Sequence, residues 1–238
     1  MQLNERINRV QDKIAAAAKA AGRDPGEVTL CAATKVQSDD TIRAAIAAGV
    51  TVCGENRVQE MTAHLEEKAY EGAKLHFIGH LQTNKVKQVV GKADLIESVD
   101  SERLLRAIND QAAKLGIVQD ILLEVNVAGE ESKGGISVAE LPELAQLACE
   151  LEHVALRGLM AIPPISHEPG ANLPYFSTMY QLFVDIKGKM SDNQNRIVCL
   201  SMGMSGDFED AVACGATLVR VGTALFGPRP PMHPANPG

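Results

Sequence analysis

The stretch Val28-Thr29-Leu30-Cys31-Ala32-Ala33-Thr34-Lys35 decides the fold, because it is an apolar run of strand length that ends on a charged residue. Seven similar runs follow it, so the predicted strands are 28–34, 51–53, 75–78, 95–99, 121–127, 155–161, 197–200 and 217–221. Helical patterns separate them, near 39–48, 56–69, 83–91, 101–115, 138–152, 173–190 and 207–214. Strands that alternate with helices indicate a parallel sheet.

Eight strand–helix units in 238 residues predict a single-domain α/β protein with the architecture of a (β/α)8 barrel, or TIM barrel. An amphipathic helix predicted at 3–21 would take the place of the missing eighth helix. The alternative is a doubly wound open sheet. The barrel is expected to occupy residues 1–227, and the Pro-rich stretch 228–238 is expected to be a flexible tail.

The composition excludes several classes of partner. A formal net charge of −7 argues against nucleic acid and against anionic membranes. The sequence has neither the pattern of a signal peptide nor an apolar run long enough to span a membrane. Five scattered cysteines without CxxC spacing favour a reducing compartment, so we expect a cytoplasmic protein.

The residues at the ends of the predicted strands are the candidates for function, since barrels gather their chemistry at the carboxyl edge of the sheet. Taken singly, each of them is most simply a surface or turn residue. Seven of the eight ends nevertheless carry polar or charged groups. In strand order the ends supply Lys35, Asn56, His80, Asp100, Asn126, Met160, Ser201 and Arg220.

This combination of residues suits pyridoxal 5'-phosphate (PLP). Lys35 supplies an amine that can form an imine with the aldehyde of PLP. Glycines and hydroxyls in 201–205 and 222–223 offer a phosphate cradle between the seventh and eighth loops, although Ser205 could equally be a helix N-cap. Arg220 stays protonated, so beside the pyridine nitrogen it would keep that nitrogen unprotonated and make PLP a weak electron sink.

Two other kinds of site are disfavoured by spacing. Cys31 and Cys53 suggest zinc, but the intervals between them and the histidines match no zinc motif, so no metal site is expected. Residues 132–135 look like part of a phosphate loop, yet the full GxxxxGK[ST] pattern is missing from the sequence.

With these segments identified, the chain resembles the pyridoxal phosphate homeostasis protein family, whose barrel is similar to the N-terminal domain of alanine racemase. The resemblance spans about residues 30–227, and three of its strings are jointly very specific. They are Gly54-Glu55-Asn56-Arg57-Val58-Gln59-Glu60, Ile78-Gly79-His80-Leu81-Gln82-Thr83-Asn84-Lys85 and Leu200-Ser201-Met202-Gly203-Met204-Ser205. Glu97 departs from the family, which more often has histidine before Ser98.

The resemblance implies a barrel that carries PLP on Lys35. It also implies that Arg220 faces the ring nitrogen, that Ser201, Gly222 and Thr223 hold the phosphate, and that Asn56 and His80 line the mouth; Met160 completes the expected set. The implied function is to carry and buffer PLP without turnover, within vitamin B6 and amino-acid homeostasis. PLP-dependent apoenzymes would then be transient partners.

A small PLP-dependent racemase or lyase is the alternative function. Racemisation needs an acid/base group on each face of the imine. Alanine racemase takes its second group, a tyrosine, from a further domain of the partner subunit, and here Tyr70, Tyr175 and Tyr180 fall in or near predicted helices. We therefore favour a carrier over an enzyme. A partner-binding scaffold with vestigial PLP stays open, and a monomer is expected.

Overall fold

The computed structural model of the protein describes residues 2–130, 134–166, 168–190 and 196–228. These residues form eight strands: β1 (Thr29–Ala33), β2 (Val52–Glu55), β3 (Lys74–Phe77), β4 (Leu95–Val99), β5 (Gln119–Glu124), β6 (Val154–Met160), β7 (Cys199–Ser201) and β8 (Leu218–Val221). They also form the helices α1 (Leu3–Ala20), α2 (Asp39–Ala47), α3 (Val58–Glu66), α4 (Glu102–Leu115), α5 (Leu141–Glu150), α6 (Leu173–Lys189), α7 (Phe208–Ala213) and α8 (Thr223–Phe226). Two 3-10 turns lie at Pro25–Glu27 and Thr83–Gln88.

The strands close into a parallel barrel in chain order, because β1 pairs with both β2 and β8. Cys31 is in register with Val52 on one side and with Arg220 on the other. This closure confirms the predicted (β/α)8 architecture and excludes the open sheet. All carboxyl ends of the strands therefore meet at one edge, which we call the mouth, and all amino ends meet at the other, the floor.

Local sequence explains the helices that surround the barrel. In α1, Ile7, Val10, Ile14 and Ala18 repeat at helical spacing and are all buried. In α4, the Ser101 hydroxyl accepts a hydrogen bond from the Leu104 amide at 3.3 Å, as an N-cap does. This helix ends at Gly116, whose left-handed φ of 67° glycine adopts without steric cost.

The alternation of strand side chains divides the core in two. The larger core lies between the sheet and the helices and includes Ala32 and Cys53. Inside the barrel the packing is thinner, with one cluster around Cys31, Val52 and Leu218 and another that is formed by Leu95, Leu122 and Met160. The inward face of the strands also carries charged groups.

Most predicted elements are confirmed, but two differ for identifiable reasons. The helix expected at 83–91 is a 3-10 turn over Thr83–Gln88, because Val86, Val89 and Val90 are β-branched and Gly91 has a φ of 76°. The eighth strand is followed by the short helix α8, so no helix is missing there. Helix α1 therefore does not replace an eighth helix, as had been expected, but packs beside it, against α7 and α8.

The remaining expectations concern the tail, residues 132–135, the cysteines and membrane-spanning segments. Of the predicted tail 228–238, only Pro228 falls within the described residues, and Ser132 and Lys133 also lie outside them. All five cysteines are described and carry unoxidised thiols. Within the described ranges, no helix combines the length and the apolar character that crossing a membrane requires.

Candidate functional site

Lys35 lies just past the end of β1, at the mouth. It follows the buried residues Ala33 and Thr34 and is itself half-buried. Strand alternation places it on the inward face, with Cys31 and Ala33. The next residue, Val36, has a φ of 58°, which is strained for a β-branched side chain, and its amide donates to Glu60 Oε2 at 3.0 Å. This turn fixes where the lysine side chain leaves the strand.

Arg220 points into the barrel from β8 and is only 4% exposed. Its Nη1 donates to the Ser201 hydroxyl at 2.5 Å, and its Nη2 donates to the Ala161 carbonyl at 2.8 Å. The strands that supply these partners, β6 and β7, are the next in the barrel. The guanidinium is therefore held rigidly in the upper part of the barrel interior.

Glu97 supplies the countercharge. This fully buried side chain on β4 lies 3.8 Å from Arg220 through Oε2, which also accepts the Ser201 hydroxyl proton at 2.5 Å. Its other oxygen, Oε1, lies 2.7 Å from His76 Nδ1. Burial raises the pKa of Glu97, but the bond and charge of His76, the charge of Arg220 and the Ser201 bond outweigh it, so the pKa is lowered.

We call the set His76, Glu97, Ser201 and Arg220 the interior network. The list of strand ends identified Ser201 and Arg220 but missed His76 and Glu97, which lie in mid-strand. A charged residue inside the apolar run Leu95-Ile96-Glu97-Ser98-Val99 was the available signal, since a buried charge needs a partner.

Asn56 and His80 lie on neighbouring loops of the mouth. A Cβ on Gly79 would fall 2.1 Å from the Asn56 carbonyl oxygen, so only glycine permits this approach between the ends of β2 and β3. Asn56 Oδ1 is buried without a hydrogen-bond partner among the described residues. The His80 side chain is 68% exposed and its Nδ1 lies 3.2 Å from Asp100 Oδ2, so it belongs to the rim.

A buried carboxyl group lies close to this part of the rim. Glu124, at the end of β5, is 7% exposed, and a Cβ on Gly134 would lie 3.5 Å from its Oε1. Burial and the charge of Asp100 raise the pKa of Glu124, and the charges of Arg220 and His80 oppose this only partly. The prediction missed Glu124, because it took Asn126 as the end of this strand.

The loops after β7 and β8 are tied together by Ser205. Its hydroxyl accepts from the amides of Gly222 and Ala224, both at 3.2 Å. A Cβ on Gly222 would lie 3.4 Å from the Ala33 side chain, which brings this loop against the end of β1. Asp207, a carboxylate that would repel an anion, accepts instead from the Met204 amide at 2.7 Å.

The predicted residues thus fall into distinct places. Ser201 and Arg220 are in direct contact inside the barrel, and Met160 belongs to the interior cluster with Leu122. Gly222 and the exposed Thr223, which is the first residue of α8, follow β8 beside the strand that leads to Lys35.

These groups fit PLP. The site offers an amine, a rigid cation and a glycine loop close to both. The buried, unpartnered Asn56 Oδ1 is in the state expected of a polar atom whose partner is a bound molecule.

The chain matches the family model of the alanine racemase N-terminal domain over residues 3–230. It is 43% identical over 229 residues to the pyridoxal phosphate homeostasis protein of Aquifex aeolicus, covering 96% of this chain and 99% of the relative. It is 41% identical over 226 residues to the protein of the same name from Escherichia coli K12, covering 94% and 95%.

Among solved structures, PipY of Synechococcus elongatus with PLP bound is 35% identical to this chain. The two superpose with a TM-score of 0.77, over 95% of this chain and 100% of PipY. Fold and site therefore define a barrel of the alanine racemase N-terminal type. Within that class, the chain belongs to the pyridoxal phosphate homeostasis protein family.

Proposed function

We propose that this protein binds PLP at the mouth of the barrel through an imine with Lys35, and that it carries and buffers the cofactor. The imine forms between the lysine amine and the PLP aldehyde with loss of one water molecule. PLP-dependent apoenzymes would receive the cofactor in transient encounters. A reducing, cytoplasmic setting is part of the proposal and is supported by the five thiols.

The packing of Gly222 against Ala33 carries this proposal. It brings the loop of the eighth strand to within one strand spacing, about 4.8 Å, of the strand that ends in Lys35. A phosphate at Gly222, Thr223 and the Ser205 bridge would then lie beside the strand that leads to Lys35. Ser201 supports the site by holding Arg220, and Arg220 would face the ring nitrogen.

The proposed lack of turnover rests on the family name of the relatives and on the placement of the tyrosines. All three lie within the described residues. Tyr70 packs in the outer core and donates to Glu55 at 3.1 Å, and Tyr175 and Tyr180 lie on α6. None of them is therefore in a position to serve the second face of an imine at the mouth.

Glu124 favours the second candidate, a small PLP-dependent enzyme. A buried carboxyl group with a raised pKa at the mouth is the kind of group that moves protons in such chemistry. Alanine racemisation by the wild-type protein decides between the two functions. A carrier should be no faster than free PLP, whereas turnover lost in both Lys35→Ala and Glu124→Gln would establish the enzyme.

Borohydride trapping tests the imine itself. The protein is incubated with PLP and reduced, and the modified peptide is mapped by mass spectrometry. We expect one adduct, on Lys35, which disappears in Lys35→Arg and persists in the matched control Lys74→Arg, a lysine on β3 at the floor. An adduct spread over surface lysines in the wild type would contradict the proposal.

A further inference from the structure

The barrel interior brings together three metal-binding groups that are far apart in sequence. Cys31 Sγ, a His76 ring nitrogen and a Glu97 carboxylate oxygen lie within 4.8 Å of one another, and all three residues are buried. We propose that they form a binding site for a divalent transition metal, with zinc as the natural occupant. Irregular spacing argued against zinc in the sequence, but that argument does not hold when three different strands of a closed barrel, β1, β3 and β4, supply the ligands.

The ligand set is the one that zinc prefers. Thiolate, imidazole and carboxylate are its common protein ligands, and thiolate selects against magnesium and calcium. Tetrahedral zinc, with bonds of about 2.0–2.3 Å, places its ligand atoms roughly 3.3–3.8 Å apart. The present 2.7 Å between His76 Nδ1 and Glu97 Oε1 would open slightly as the ion replaces the proton that the two share.

Arg220 does not block the site, because Glu97 presents a different oxygen to each partner. Oε2 accepts from Ser201 and lies 3.8 Å from the guanidinium, while Oε1 is turned toward His76. The carboxylate therefore balances the charge of the guanidinium through one oxygen and offers the other oxygen to the metal, while Arg220 is also the register neighbour of Cys31 across β1 and β8. Binding releases the thiol proton of Cys31 to solvent, and the proton between His76 and Glu97 moves to the other ring nitrogen of His76. The bound ion therefore faces two anionic ligands and one neutral ligand.

An entry path leads in from the floor. A cavity of about 470 Å³, which we call the floor cavity, opens among the amino ends of the strands and reaches His76. Its wall carries three carboxylates, from Glu27, Asp94 and Asp120, and two cations, from Lys74 and Arg157. Three protein ligands leave one tetrahedral position open, and water from this cavity can fill it.

Cobalt(II), a spectroscopic substitute for zinc, tests the site on the full-length protein. After chelator treatment and under reducing conditions, we expect one equivalent of cobalt to bind per chain with a sulfur-to-cobalt charge-transfer band. Cys31→Ala should abolish the band, and His76→Gln should weaken binding by at least about 100-fold. Cys53→Ala is the matched control, a buried cysteine on the neighbouring strand that faces the helices.

The opposite outcomes are equally clear. A wild-type protein without a sulfur-to-cobalt band, or a band that survives in Cys31→Ala but is lost in Cys199→Ala, would overturn the proposal. Zinc-edge X-ray absorption on the wild type decides the matter even if Cys31→Ala does not fold. One sulfur at about 2.3 Å among nitrogen and oxygen neighbours supports the site, and a shell of oxygen and nitrogen alone refutes it.

Discussion

Two glutamates with no exposed surface lie on opposite faces of the barrel wall, and their pKa values are shifted in opposite directions. Glu97 faces inward, where His76, Arg220 and Ser201 lower its pKa despite burial. Glu55 faces the helices, where only the Thr34 and Tyr70 hydroxyls donate to Oε1 and Oε2 has no partner among the described residues. There burial dominates and the pKa of Glu55 is raised. The partners of a carboxylate, and not its depth, decide its ionisation.

Removing the inward carboxylate should have the largest effect. Glu97→Ala leaves the Arg220 guanidinium buried without a countercharge, and we expect it to lower the free energy of unfolding by about 3–5 kcal/mol. Glu55→Gln keeps an acceptor for both hydroxyls and should cost less than about 1 kcal/mol. Urea unfolding at pH 7 measures both. If the two variants lost the same free energy of unfolding, the inward and outward carboxylates would not differ in their contribution to stability.

Removing the hydroxyl that binds the inward carboxylate should also cost more stability than removing one that binds the outward carboxylate. The difference should be smaller than the difference between the two glutamate variants. Ser201→Ala removes hydrogen bonds to two charged groups and should cost about 1.5–3 kcal/mol. Tyr70→Phe removes a single bond and should cost about 0.5–1.5 kcal/mol. The comparison fails if Tyr70→Phe is the more damaging change in the same unfolding assay.

The pH dependence of stability gives the smallest difference at any single pH but the sharpest test. The reason is that the pKa values of Glu97 and Glu55 are shifted in opposite directions. Since the pKa of Glu97 is lowered, its stabilising contribution is present above the unfolded value of about 4.3 and is lost as pH falls through the folded one. For Glu55 the pKa is raised, so the stability that it contributes is present below about 4.3 and is lost as pH rises through its folded value.

Unfolding measured between pH 3 and 7 in wild type, Glu97→Gln and Glu55→Gln separates these slopes. The wild-type advantage over Glu97→Gln should shrink toward acid pH, and the advantage over Glu55→Gln should shrink toward neutral pH. Parallel pH profiles for the two variants would show that the faces do not differ.

The sequence predicted the fold well because the barrel rests on local patterns. Each apolar run became a strand, and parallel strands joined by helices leave few topologies open. The errors arose where local patterns are ambiguous. Near Val86 an apolar repeat is compatible with more than one helical form. The strand predicted at 197–200 is β7 over Cys199–Ser201, and Val198, which precedes it, is exposed.

The residues of the candidate site could be proposed from the sequence only where they lie at strand ends. Lys35, Ser201 and Arg220 were identified because polar residues after apolar runs gather at the mouth. Period-two alternation from Lys35 through Ala33 puts Cys31 inside the barrel, but this placement was not among the predictions made from the sequence. The proximity of Cys31 to His76 and Glu97 could not be predicted from the sequence, because it depends on the register of the four strands β1 to β4 in the closed barrel.

The place of α1 has a consequence for synthesis on the ribosome. Its stripe of Ile7, Val10 and Ile14 is covered largely by α7 and α8, which lie at the other end of the barrel sequence. At about 5–20 residues per second, the ribosome needs roughly 10–40 s to make the intervening chain. Helix α1 therefore waits for these partners until the intervening chain has been made, and its apolar stripe stays open to other nascent chains and to chaperones.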